Sequence, residues 1–358
     1  MTETEDRAKD GAVRFRHGLE VAALSMLLLV LLTIALKELA SILQPLFIGV
    51  FLGYLILPAH KWLTRHKIPS ALSYLLIALL VVSVMWGVGT MLVNSIAALL
   101  VKLPVYEKKM DALLVTTIHA LPLEFPGFEV QRIREIPFLE FLSLENLADT
   151  GITTLKKFTG FFTTMLVILV YLIFLIAEGA TFRKRVKNSF GEGKASRIMD
   201  VVGTINKAIA QYIAVKTLIS FIIAAISTAI LGGFGVDFFI LWGIITFFAN
   251  FIPYIGSMAA VTPPILLAFL QFDHPWKGIV IAALLIGAQL VTGQIIEPRL
   301  AGRKLGVSPL MILLSLAFWG WLWGVIGMIL AVPTVVIIKI VLDNIEQTKP
   351  VAGLLSDI

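Results

Sequence analysis

The chain has no cysteine, which removes disulfides, thiolate chemistry and cysteine-ligated metal from consideration. Its five histidines are scattered and form neither an HExxH helix nor a His-x-x-x-His pair, so no metal or other cofactor is expected. Charge is scarce as well. Only 15% of the 358 residues are charged and 58% are hydrophobic, whereas soluble domains average about 25% charged and about 45–50% apolar. What the sequence does hold is a succession of apolar runs of helix-spanning length, which defines an all-α polytopic membrane protein. A barrel would show about 10-residue alternating segments in place of these continuous runs. The net charge is +6, but the basic residues flank the apolar spans. Lipid headgroups, not nucleic acid, are therefore the expected counter-charge.

Residues 1–18 are polar and of mixed charge, the composition of a disordered cytoplasmic tail. The N-terminal spans occupy 19–100. The first apolar run extends from 21 to 36 and on to 43 without a convincing A-x-A cleavage site, so it reads as an uncleaved span. After Gln44-Pro45, a second span carries Gly49-x-x-x-Gly53, a spacing that lets two helices approach closely. A third run crosses the membrane and continues beyond it. Residues 101–157 mix acids, bases and leucines around Pro122, Pro126 and Pro137, which predicts a small extracytoplasmic insertion of two amphipathic helices. The chain returns over 158–177 into a basic loop, 179–210, that holds Arg183, Lys184, Arg185 and Lys187. The positive-inside rule places that loop in the cytoplasm, and counting back through four crossings puts the N-terminus there too.

The C-terminal core, 158–343, contains two polar interruptions, and a cytoplasmic tail follows at 344–358. The first interruption is 250–256, Asn-Phe-Ile-Pro-Tyr-Ile-Gly, where Pro253 must break the helix, Gly256 follows, and Asn250 offers an amide. The second is 297–302, within the stretch 289–310, QLVTGQIIEPRLAGRKLGVSPL. There Gln289, Gln294, Glu297, Arg299 and Arg303 follow one another, with Pro298, Gly302, Gly306 and Pro309 as helix breakers. A carboxylate and a guanidinium at the end of an apolar span are costly unless paired or wetted. Irregular backbone at that depth survives only where protein buries it or a water-filled cavity lines it. Lys216 sits within or just below the membrane, either snorkelling to headgroups or facing a polar pathway. Glu297 either faces that pathway or pairs with Arg299 or Arg303 at the cytoplasmic surface. These residues are the expected route for a solute or ion, because broken helices expose backbone groups to cargo.

Other motifs carry less. Gly191–Ser196 reads GEGKAS, but a phosphate loop needs Gly where Asn188 stands and Ser or Thr where Ala195 stands. The turn Gly232, Gly233, Gly235 runs into GFGVD, which misses the GxGD pattern of an intramembrane protease. No nucleophile–base constellation marks an enzyme. The run 310–342 is too long for one ordinary span, and GWLWG at 320–324 predicts a hairpin of two half-helices, with one long tilted helix as the other reading.

Four stretches together resemble the autoinducer-2 exporter family, also described as PerM/TqsA-like permeases. They are QPLFIGVFLGYLILP at 44–58, QYIAVKTLIS at 211–220, NFIPYIGS at 250–257 and IIEPRLAGRKLGVSPLMILLSLAFWGWLWGVIGMILAVP at 295–333. The resemblance covers about residues 20–343. It implies about eight transmembrane helices, cytoplasmic termini, a homo-oligomer and a place in the bacterial inner membrane among its lipids. It also implies a secondary transporter that exports a small polar solute such as the signalling molecule autoinducer-2 without ATP. Na⁺(Li⁺)/H⁺ antiport, with Glu297 as the titrating group, is a second expectation, and a non-transporting oligomeric scaffold a third.

Overall fold

The computed structural model describes residues 2–120, 144–301 and 306–356. Among these, all regular structure is helical. Helix α1 covers Thr2–Glu38, α2 Ala40–Arg65, α3 Ser70–Ala120, α4 Leu144–Gly233, α5 Phe239–Ala249, α6 Ile255–Gln271 and α7 Pro275–Val291. A π-helical turn, Thr292–Ile296, joins α7 to α8, Glu297–Ala301; α9, Pro309–Asp343, and α10, Lys349–Leu355, complete the fold. Six helical segments of the described residues are long and apolar enough to cross a bilayer, and Thr163–Gly179, Phe239–Ala249 and Ile255–Gln271 are shorter apolar helices. The chain is an all-α polytopic membrane protein.

Two regions differ from the sequence reading. The helix of the first span carries back to Thr2, through residues expected as a disordered tail. A helix already nucleated in the span extends cheaply into the Glu, Arg, Lys and Ala residues before it. The described parts of 101–157 are not separate helices but the ends of α3 and α4, and 121–143 lies outside the described residues.

Helix α4 is two arms meeting at Gly191, whose φ of 72° and ψ of 170° suit glycine alone. Its first arm packs on α2, where a Cβ added to Gly49 would sit 3.5 Å from both the Ile168 carbonyl and the Tyr171 Cβ. Gly53 meets Leu172 in the same way. The Gly-x-x-x-Gly spacing thus brings two helices into close contact, and close packing is what holds helices together in lipid. The second arm lies against α2 and α9, with Ile209 and Ile213 packed on Val332, Val335 and Val336.

The second arm of α4 then leads into α5, α6 and α7, each packed on the next and joined by short connections. Leu231, Val236, Trp242, Leu267, Ala268, Ile281 and Leu285 form their shared core, which Tyr106 of α3 enters from outside. Contact is close at Gly243, where a Cβ would fall 1.9 Å from the Thr228 hydroxyl oxygen. Helix α9 is the expected hairpin. It reverses at Gly324, with φ 61° and ψ −141°, and the Ser315 hydroxyl donates across to the Ala331 carbonyl at 3.0 Å. Trp319 and Trp323 anchor the hairpin against Ile252 and Leu330, and the Trp323 indole N–H donates to the Leu36 carbonyl at 3.0 Å.

Candidate functional site

On the second arm of α4, Tyr212, Lys216 and Ser220 follow at intervals of four and so share one helix face. The Lys216 side chain is only 7% exposed, and its Nζ lies 2.7 Å from Oε1 of Glu297, itself 32% exposed. One turn along, fully buried Ser220 accepts a hydrogen bond from Nδ2 of Asn250 at 2.9 Å. The two interrupted regions therefore converge on a single stripe of α4. A buried ammonium is costly alone, and the carboxylate facing it offsets that cost. Lys216 is held inward by Glu297 and does not run out to a headgroup.

Local chemistry places each partner. Helix α5 ends at Ala249, Tyr254 takes a positive φ of 62°, and α6 starts at Ile255. The turn is tight enough that a Cβ on Gly256 would fall 1.8 Å from the Ala249 carbonyl oxygen, so only glycine fits. Asn250 is thereby left at the end of α5, facing Ser220. Around Glu297 the backbone departs from the sequence reading. The sequence places the interruption from Glu297 onward, but the irregularity comes earlier, at the π turn Thr292–Ile296, and Glu297–Ala301 is α-helical again. Pro298 has no N–H for the Gln294 carbonyl, and its ring crowds that carbonyl. Widening the preceding turn, so that the Glu297 N–H reaches the Thr292 carbonyl, relieves the crowding.

The remaining expected site residues scatter more widely. Gln289 is on α7 with its amide nitrogen buried and, among the described residues, without a partner. The Tyr212 hydroxyl is in the same condition. Gln294, Pro298 and Arg299 are exposed, and Pro253 is half-buried. Gly306 takes a φ of 67° beside the Lys339 ammonium, while Pro309 opens α9 after Ser308, whose hydroxyl accepts the Met311 N–H at 3.3 Å. Gly302 and Arg303 lie outside the described residues. Ser220 and Tyr212 belong to the stripe without being among the expected site residues; their spacing of four from Lys216 is the signal the sequence holds.

A second polar cluster sits just beyond the C-terminal end of this arm. Lys102 of α3 donates to Oδ2 of Asp237 at 2.6 Å, and the Tyr106 hydroxyl donates to the same oxygen. The Asp237 N–H donates to Oε1 of Gln271 at 2.8 Å, the Gln271 amide donates to the Gly235 carbonyl, and Lys109 donates to the Gln271 carbonyl. Burial pushes the Asp237 carboxyl up, but the hydrogen bonds from Lys102 and Tyr106 and the Lys102 charge outweigh it and hold the group below its ordinary value. This cluster ties α3 to the α4–α5 turn and the end of α6. Nothing local in the sequence marks it.

Comparison with known proteins adds the family. The sequence model described as AI-2E family transporter matches residues 24–347. The AI-2 transport protein TqsA of Escherichia coli is 28% identical over 348 residues, which cover 96% of this chain and 97% of that protein. A Borreliella burgdorferi protein, whose name gives transport as its expected role and no solute, is 28% identical over 325 residues, 88% of this chain and 84% of its own.

Proposed function

The chain belongs to the AI-2E family of transporters, and from that premise we propose that it moves a small polar solute, autoinducer-2 being the first candidate, past the polar stripe of α4 and out of the cell. It is a transporter rather than an enzyme. The observation that carries the reading is the convergence of Lys216–Glu297 and Ser220–Asn250 on adjacent turns of one helix. A polyhydroxylated solute leaving water needs replacement hydrogen bonds. The stripe offers an ion pair, a hydroxyl and an amide for exchange, with the Tyr212 hydroxyl on the same face of α4 and the Gln289 amide on α7, the helix that leads into Glu297. Without a nucleotide-binding motif, the driving force is the gradient of solute or of a coupled ion.

One observation favours Na⁺(Li⁺)/H⁺ exchange as a second reading. Glu297 is a carboxylate whose counter-ion is an amine, and a monovalent cation or a proton competes for the same oxygen. The basic loop supports a bacterial inner-membrane topology with both termini in the cytoplasm, and assembly as a homo-oligomer belongs to the same proposal. Purified protein in liposomes, assayed for autoinducer-2 flux and for Na⁺-dependent proton movement, separates these readings. Flux of either kind, abolished by Glu297→Gln with assembly intact, supports the site. Absence of both favours a scaffold.

A further inference from the structure

A cavity of about 1000 Å³ lies between α3, α4 and α5. Among its lining residues only Thr228 carries a hydroxyl or other strongly polar side-chain group, and that hydroxyl already donates to the Ala224 carbonyl at 2.7 Å. Nothing there replaces the water of a hydrated solute, so this cavity is not the polar stripe by another name. Small residues of α4 (Ala224, Ala225, Ala229, Gly232) keep the walls apart. Phe221 and Val84, two of its lining residues, are 65% and 54% exposed on helices that cross the membrane, so the cavity is open where hydrocarbon surrounds the chain.

Shape and position identify the occupant. The α4 wall runs from Phe221 to Gly233, about 18 Å along the axis at about 1.5 Å per residue, close to the roughly 15 Å of one leaflet's share of the hydrocarbon core. At the Gly233 end stands the polar cluster of Asp237, Tyr106 and Lys102. The Lys102 side chain is 51% exposed, and its ammonium gives one of three donors to Asp237. We propose that this groove binds one phospholipid, its acyl chain along α4 between α3 and α5 and its phosphate at the Lys102 end. An apolar groove of leaflet depth, open toward hydrocarbon and ending at a half-exposed cation, matches a lipid in length, polarity and charge. A seated chain would hold α3 apart from α4 and α5 along the cavity, while the Asp237 cluster keeps them joined at its end. The inference is independent of the cargo.

The test uses the full chain purified from nanodiscs of palmitoyl-oleoyl phosphatidylglycerol and exchanged into mild detergent, with bound lipid and subunit mass read by native mass spectrometry. Ala225→Phe with Ala229→Phe fills the groove from two exposed positions. The natural chain is expected to keep one phospholipid per subunit, and the double variant about tenfold less, the change expected when roughly two methylenes lose burial. Ala225→Leu, a milder filling, should fall between them and stands in if the double variant does not fold. Equal retention by natural and filled proteins overturns the proposal, as does a natural chain that keeps no lipid. Lipid retention unchanged with subunit association lost also overturns it, because a second copy then covers the groove.

Discussion

Lys216 and Glu297, 81 positions apart in the sequence, meet at 2.7 Å on the face of α4 that also carries Ser220. The pair joins the π turn after α7 to the middle of the bundle, and the Asn250–Ser220 bond joins the α5–α6 break to the next turn. Two irregular segments thus share one support, and a movement of either is felt by α4.

The pair is asymmetric, and its two single substitutions should differ. Glu297→Gln leaves a 7% exposed ammonium without its carboxylate, whereas Lys216→Met leaves a carboxylate that is 32% exposed and so less enclosed by protein. The glutamate change should therefore cost more, up to about 3 kcal/mol, the low end of the range for breaking a fully buried pair. Thermal unfolding of both variants and of the double variant checks this. The double variant should be more stable than Glu297→Gln alone, and an equal loss in both single variants would argue against a buried, coupled pair.

Gly256→Ala should destabilise the α5–α6 turn by about 1–3 kcal/mol, because the added methyl meets backbone and not a flexible side chain. Gly287→Ala is the control: nothing lies within 4 Å of its Cβ position, and helix propensity favours alanine by up to about 1 kcal/mol. Melting temperatures should move in opposite directions.

The reversal of α9 rests on one residue. Gly324→Ala, at φ 61° and ψ −141°, should cost about 1–3 kcal/mol of backbone strain and loosen the Ser315–Ala331 contact. Hydrogen exchange at the hairpin tip should rise. Unchanged protection there would contradict the hairpin.

Asp237 gives a pH prediction. Its folded carboxyl titrates below the ordinary 3.8, so its contribution to stability is fully present above that value and lost as pH falls through the folded value. The stability difference between the natural chain and Asp237→Asn should be flat at neutral pH and shrink in acid, below about pH 4. A difference that persists unchanged into strong acid would assign the effect to something other than the carboxylate.

Much of this architecture can be read from residue types with a single structural use. Gly49 and Gly53 announce a close helix contact, Pro253 and Gly256 a break, and the glycines and tryptophans of 320–324 a hairpin. Partnerships across long sequence separations are different. Arg299 is far nearer to Glu297 in sequence than Lys216 is, yet Lys216 holds the carboxylate, because folding brings α4 against the π turn. The π turn itself requires no special residue at its own positions, so the effect of Pro298 shows one turn before the proline. Lys102 and Asp237 are 135 residues apart and share no motif.

The central claim is that the stripe of α4 becomes part of an aqueous route. Because the chain has no cysteine of its own, Ser220→Cys makes a single reporter at a side chain with 0% exposure. The measurement is its rate of modification by a small hydrophilic thiol reagent, added from each side of sealed vesicles with and without autoinducer-2. The account predicts modification despite that burial and a slower rate when solute is present. No modification from either side, in vesicles whose protein still transports, would place the route elsewhere.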